Sequence, residues 1–234
     1  MNKKNVFSFQ EDFTLEQKWI HHLMLHSRDI TDIGLFSGKF GIALVLFKYA
    51  KHNKSRAIQL LAESLIEEVL HSLGEKISLD LATGLCGIGW GIEYLLQNRF
   101  MKGDSLDICE VIDKKIVMEN PLFIDDVSLD TGLEGKLHYI LAHIQGTRER
   151  GVPFPPEYLI MLKNKLKAIL ETHSSLTESM KSQISIYMDM TQSKRWYYEL
   201  NLSYFVNTPI KPSRNILNLR DGLAGYIENY YLNK

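Results

Sequence analysis

Two cysteines, Cys86 and Cys109, and eight histidines are the soft donors and nucleophiles in this chain of 234 residues. Cys86 follows Thr83-Gly84-Leu85, at the third residue of an expected helix. A helix N-terminus stabilises a thiolate, which makes Cys86 a candidate nucleophile. The plainer reading, which we favour, is a small residue buried beside Gly84 and Gly87. His138 and His143 stand five apart on one helical stretch, on different faces, unlike the i, i+4 pair of a helical metal site. His22 and His26 have i, i+4 spacing, but with His21 they sit among Trp19, Leu23 and Leu25 and read as a partly exposed helix face. The acids and bases that gather at expected helix starts are Asp130, Glu134, Arg220 and Asp221. Acids near an arginine would suit a binding cup, with Lys39 and Trp90 lining it. Glu134, His138 and Asp221 join Cys86 as catalytic candidates, although helix capping alone accounts for Glu134 and Asp221. Trp196-Tyr197-Tyr198 and Tyr230-Tyr231 could grip a peptide; core or rim packing is the plainer role.

The elements that must position these residues recur along the chain. Ser37-Gly38-Lys39-Phe40-Gly41, Thr83-Gly84-Leu85-Cys86-Gly87, Thr131-Gly132-Leu133-Glu134-Gly135 and Asp221-Gly222-Leu223-Ala224-Gly225 are copies of one signature. Gly38, Gly84, Gly132 and Gly222 are separated by steps of 46, 48 and 90 residues, so one copy is expected to have decayed before the last. The stretch Leu176–Met190 keeps helical spacing without the glycines. Ser37, Thr83, Thr131 and Asp221 are expected to cap helices beginning there, with Thr131 and Glu134 as a capping box. Glycines at a helix start lower propensity, and a close approach of another backbone or a ligand would compensate.

Between the signatures, helices are expected over Leu15–Ser27, Ser55–Leu73, Ser105–Glu119, Glu157–His173 and roughly Lys194–Val206. Ile58, Leu61, Leu65, Ile66, Val69, Leu70 and Leu73 follow the amphipathic rule. Ile42 to Phe47 has little polar face and predicts a helix buried on most sides. Strand signals are few; Val6–Phe9 and Ile210–Leu219 have loop-like flanks. Pro209 and Pro212 mark a long connection before the last signature. The expected fold is all-α: one domain over residues 1–234, built as an array of about five helix pairs.

With 45% hydrophobic residues, the chain can form one sizeable core. A net charge of −1 leaves no basic excess for nucleic acid. No apolar run is long enough to span a membrane, and the first twelve residues lack a signal-peptide core. Two cysteines suit a reducing cytoplasm and no disulfide scaffold.

Helix pairs opened by Gly-x-x-Gly resemble the lanthionine cyclase (LanC-like) family. Thr83-Gly-Leu-Cys-Gly-Ile-Gly-Trp-Gly-Ile92 and Asp221-Gly-Leu-Ala-Gly-Tyr226 carry the likeness, which extends from Gly34 to about Asn229. The resemblance implies an α/α toroid and a role in maturing ribosomal peptides by adding a cysteine thiolate to a dehydrated serine or threonine. The family holds zinc through two cysteines and a histidine immediately before inner-helix glycines. Here those places hold Phe36-Ser37, Ala82-Thr83, Asp130-Thr131 and Arg220-Asp221, none of them soft ligands. No metal cofactor is therefore expected. The family usually has about seven pairs; here the apolar terminal stretches either close on each other or pair with another chain, a homodimer being the expected form.

The favoured expectation is a non-catalytic component that binds a precursor peptide or a peptide-modifying enzyme. The alternative is a cyclase-type enzyme, metal-independent or with zinc ligands relocated among Cys86, Cys109, His138 and His143.

Overall fold

The computed structural model describes residues 14–74, 76–173, 176–207 and 213–233. The expectations for the first twelve residues, for Val6–Phe9 and for Pro209 and Pro212 fall outside them. The described residues form α1 (Leu15–His26), α2 (Lys39–Asn53), α3 (Arg56–His71), α4 (Leu85–Gln97), α5 (Ser105–Met118), α6 (Leu133–Gly146), α7 (Pro156–Thr172), α8 (Glu178–Thr191) and α9 (Leu223–Ile227), with no strand among them. A π-helical turn over Glu228–Leu232 continues α9. The fold is all-α as expected, and side chains from all nine helices join in one buried apolar cluster. The run from Ile42 to Phe47 is buried on every side.

The Gly-x-x-Gly helices do not start as expected. Gly38, Gly84, Gly132 and Gly222 are themselves the N-cap residues, and none of the four helices has a side-chain cap. Ser37, Thr83, Thr131 and Asp221 stand one residue outside. Thr131 donates instead to Asp126 Oδ2, and the capping box with Glu134 does not form.

Backbone from the preceding loop does the capping. Lys39 N–H donates to the Asp32 carbonyl (2.8 Å), Leu85 to Ser78 (2.9 Å), Leu133 to Asp126 (2.9 Å) and Leu223 to Ile216 (2.8 Å). In each case the acceptor lies seven residues back, so one loop conformation is repeated four times. The orphan amides of a helix start are thereby satisfied without a hydroxyl. This loop also explains the second glycine. A Cβ at Gly41, Gly87, Gly135 or Gly225 would lie 2.0, 2.0, 2.3 or 2.2 Å from the carbonyl oxygen of Leu35, Leu81, Leu129 or Leu219.

The same loops join the units to one another. Leu219 and Arg220 N–H groups donate to Phe36 O (3.1 Å each), Phe36 N–H to Ala82 O (2.9 Å), and Leu81 and Ala82 N–H to Asp130 O (3.0 Å each). The last signature thus lies beside the first, which lies beside the second and then the third. The helices follow that order, with α9 against α2, α2 against α4, α4 against α6 and α6 against α8. Helix α1 also lies against α9, so the first and last units of the chain meet.

The decayed copy is α8. It keeps the helix but replaces the glycine loop with Thr177, whose hydroxyl accepts from Met180 N–H at 2.9 Å. The helix expected over Lys194–Val206 is absent; only Leu202–Phe205 forms a 3-10 turn. Gln145 on α6 clamps the extended backbone at Tyr198, accepting from its N–H and donating to its carbonyl at 2.7 Å each. A side-chain amide thus replaces the missing helical bonds. Tyr198 and Phe205 point into the core, where Phe205 meets Phe36, Trp90 and His138.

Candidate functional site

The loops bring together part of the expected cup. Arg220 lies 3.1 Å from Asp130 and stacks 4.4 Å from the Phe36 ring centroid, linking the last loop to the third. Asp221 accepts from Asn207 Nδ2 at 2.8 Å and is exposed. Lys39 and Glu134 turn elsewhere. Lys39 donates to Glu68 of α3 at 2.7 Å. Glu134 accepts from the Thr177 hydroxyl at 3.1 and 3.2 Å, tying α6 to the start of α8. Trp90 is fully buried and lines no cup. Cys86 is also fully buried, and burial pushes its thiol far above the usual cysteine range, the opposite of an activated nucleophile.

A buried polar network lies between α4, α5 and α6. His143 Nδ1 is 2.6 Å from Glu93 Oε1, and His143 Nε2 is 2.9 Å from Asp113 Oδ2. Tyr139 donates to Asp113 Oδ1 at 2.6 Å, and Gln97 donates to Glu93 Oε2 at 2.8 Å. Burial alone would lower the His143 pKa, but hydrogen bonds to Asp113 and Glu93 outweigh it and hold the imidazole up at about 9. His143 is therefore an imidazolium between two carboxylates at neutral pH.

Glu93, Cys109 and His143 place one donor atom each within 4.8 Å of one another. Zinc does not fit this set as it stands. Tetrahedral zinc holds nitrogen and oxygen donors about 3.3 Å apart. The Glu93–His143 pair is at hydrogen-bond distance instead, and both imidazole nitrogens face carboxylates. Burial also pushes the Cys109 thiol far up.

A cavity of about 380 Å³ opens where the decayed unit and the extended segment meet. His138 and Gln183 lie at its base, Ile186, Tyr197 and Tyr204 form walls, and Ser179, Ser182 and Glu199 complete the lining with Tyr198. A relay supports the base. Trp90 Nε1 donates to the Tyr198 hydroxyl (2.9 Å), which lies 2.5 Å from His138 Nδ1. His138 Nε2 lies 2.5 Å from Gln183 Nε2. Burial holds His138 down at about 3, so the imidazole is neutral. Gln183 is itself buried, and its Oε1 has no hydrogen-bond partner. At the rim, Tyr204 donates to Glu199 at 2.9 Å; burial, then that hydrogen bond, raises the phenol to about 12.

Of the sequence candidates, His138 borders this cavity, together with Tyr197 and Tyr198 of the aromatic run. Gln183, Ser179, Ser182, Tyr204 and Glu199 were not expected, because α8 lost its glycine signature and the expected helix over Lys194–Val206 hid the role of its tyrosines. Tyr197 and Tyr198 were legible as members of an aromatic run. Comparison with family models, with characterised proteins and with solved structures gives no match.

Proposed function

We propose that this protein is a LanC-like helical scaffold that binds a peptide in the cavity between α8 and the Tyr197–Tyr204 segment, as a non-catalytic component of a peptide-maturation system. The carrying observation is the Gln183 side chain, its Oε1 without a hydrogen-bond partner, in the lining of a cavity that Tyr197, Tyr198 and Tyr204 also line. A buried polar atom without a partner costs about 1–3 kcal/mol, which a ligand group can recover. A peptide offers both backbone amides for Gln183 and side chains for the aromatic wall. Family likeness in the glycine signatures supports the choice of peptide system. Relocated zinc ligands would have to include the Cys86 or Cys109 thiolate, which burial disfavours, so binding is favoured over zinc-dependent cyclisation.

The test is selection from a displayed random peptide library. Selected peptides should bind the wild-type chain and lose at least tenfold in affinity for Gln183→Leu and Tyr204→Ala. Selection of nothing, or of peptides that bind all three chains equally, would overturn the reading. Incubation with a cysteine-containing dehydrated peptide, followed by thiol alkylation and mass spectrometry, tests the cyclase alternative: free thiols should persist.

A further inference from the structure

A second cavity, of about 280 Å³, lies at the C-terminal ends of α2 and α4, away from the peptide cavity. Four cations line it, Lys51, Lys54, Arg56 and Arg99, and no carboxylate does. The half-buried and buried cations pair closely with acids: Lys39 with Glu68, Lys48 with Glu228, Lys136 with Glu119, Arg220 with Asp130. Here, among the described residues, only Arg56 has an acidic partner, Glu63 at 3.1 Å, which does not line the cavity. The overall net charge is −1, so this concentration of positive charge is local.

Helix ends alone do not account for it. The carboxyl ends of α2 and α4 each supply about half a negative charge and the start of α3 about half a positive one; with Arg56 paired to Glu63, an excess of about two positive charges or more remains. Lys51 is held in place, donating to the Asn98 carbonyl at 3.1 Å with its ammonium 4.7 Å from the Phe100 ring centroid. Lys54 and Arg99 occupy left-handed backbone, with φ of 51° and 59°. Glycine is the ordinary residue at such helix ends, because a Cβ is disfavoured there. At both turns the chain carries a cation instead.

We infer that this cavity is a binding site for a small phosphorylated anion. Phosphate oxygens accept several charge-assisted bonds at once, and guanidinium groups can grip them in pairs. The volume lies just below that of drug-sized ligand sites, which span about 300–1,000 Å³. A diphosphate or a compact phosphate monoester suits it, with Phe47 and Phe100 as an apolar wall for the rest of the molecule.

Isothermal titration with inorganic pyrophosphate at fixed ionic strength tests the assignment. The wild-type chain should bind at one saturable site. The double variant Lys54→Gly/Arg99→Gly should bind at least tenfold more weakly while keeping its urea midpoint, since glycine suits both turns. Should that variant fail to fold, Lys51→Gln provides the same comparison, with several-fold weaker binding expected. Absence of saturable binding to the wild-type chain, or unchanged affinity in the folded variants, would overturn the proposal. Preference for short single-stranded DNA or phosphatidylserine vesicles over pyrophosphate would overturn it as well, by assigning the charge to a macromolecular surface.

Discussion

The His143 imidazole stands 2.6 Å from the Glu93 carboxylate inside the α4–α6 interface, and both side chains are shut off from solvent. The raised pKa of His143 makes this pair a pH-dependent stabiliser. An unfolded histidine titrates near 6.5, and the folded one near 9. Its contribution is fully present below pH 6.5 and is lost as pH rises through about 9. Urea midpoints should therefore fall over that interval, and His143→Gln should flatten this part of the profile. His143→Ala, which leaves two buried carboxylates without their counter-charge, should cost about 3–5 kcal/mol at neutral pH.

The loop-capped helix starts predict a sharp difference among glycines. A Cβ at Gly87 would lie 2.0 Å from the Leu81 carbonyl and 2.9 Å from Leu35 Cβ. Gly87→Ala should destabilise by about 1–3 kcal/mol or more, because backbone must move to admit the methyl group. Gly74 has nothing within 4 Å of an added Cβ. Gly74→Ala should stay within about half a kcal/mol of wild type. Equal urea midpoints for the two variants would contradict the packing account.

Tyr198 joins three elements through one hydroxyl. Tyr198→Phe leaves Trp90 Nε1 and His138 Nδ1 without that partner, both in the core. The expected loss is about 1–3 kcal/mol for each group left unpaired. Chemical denaturation measures it. A double-mutant cycle with His138→Phe should show strong coupling, and additive effects would argue against a connected relay.

Elemental analysis of the purified protein should find no stoichiometric zinc, and a chelator should leave the thermal midpoint unchanged. The reasons are the absence of cysteine and histidine before the four signature glycines and the close hydrogen bonds that occupy His143. One zinc per chain, lost on Cys109→Ser, would defeat this expectation.

Much of the fold was legible because glycine spacing and helical periodicity are local signals. They located α1 to α8 to within a few residues. The mode of capping was misread, because Ser37, Thr83, Thr131 and Asp221 have the right chemistry and stand one position too early. A further signal was present: Leu35, Leu81, Leu129 and Leu219 each precede the first signature glycine by three residues. Those leucines mark the loop that supplies the backbone caps. The polar network was less legible. Glu93, Asp113 and His143 are far apart in the chain, so nothing local shows that each has partners. Tyr139 and His143, four residues apart, gave the one short-range hint of a shared face. The segment from Lys194 was misassigned because its helix-compatible apolar spacing serves burial of Tyr198 and Phe205 in extended and 3-10 backbone instead.

The docking of the last signature loop on the first has a consequence for synthesis. Phe36 O waits for the amides of Leu219 and Arg220, which emerge from the ribosome 183 and 184 residues later. The second and third units can dock on the first as they appear, whereas the faces of α1 and α2 that meet α9 stay uncovered until α9 has been made. A chain stopped before Leu219 would therefore display an apolar seam that docking of α9 hides, a natural handle for chaperone or protease surveillance.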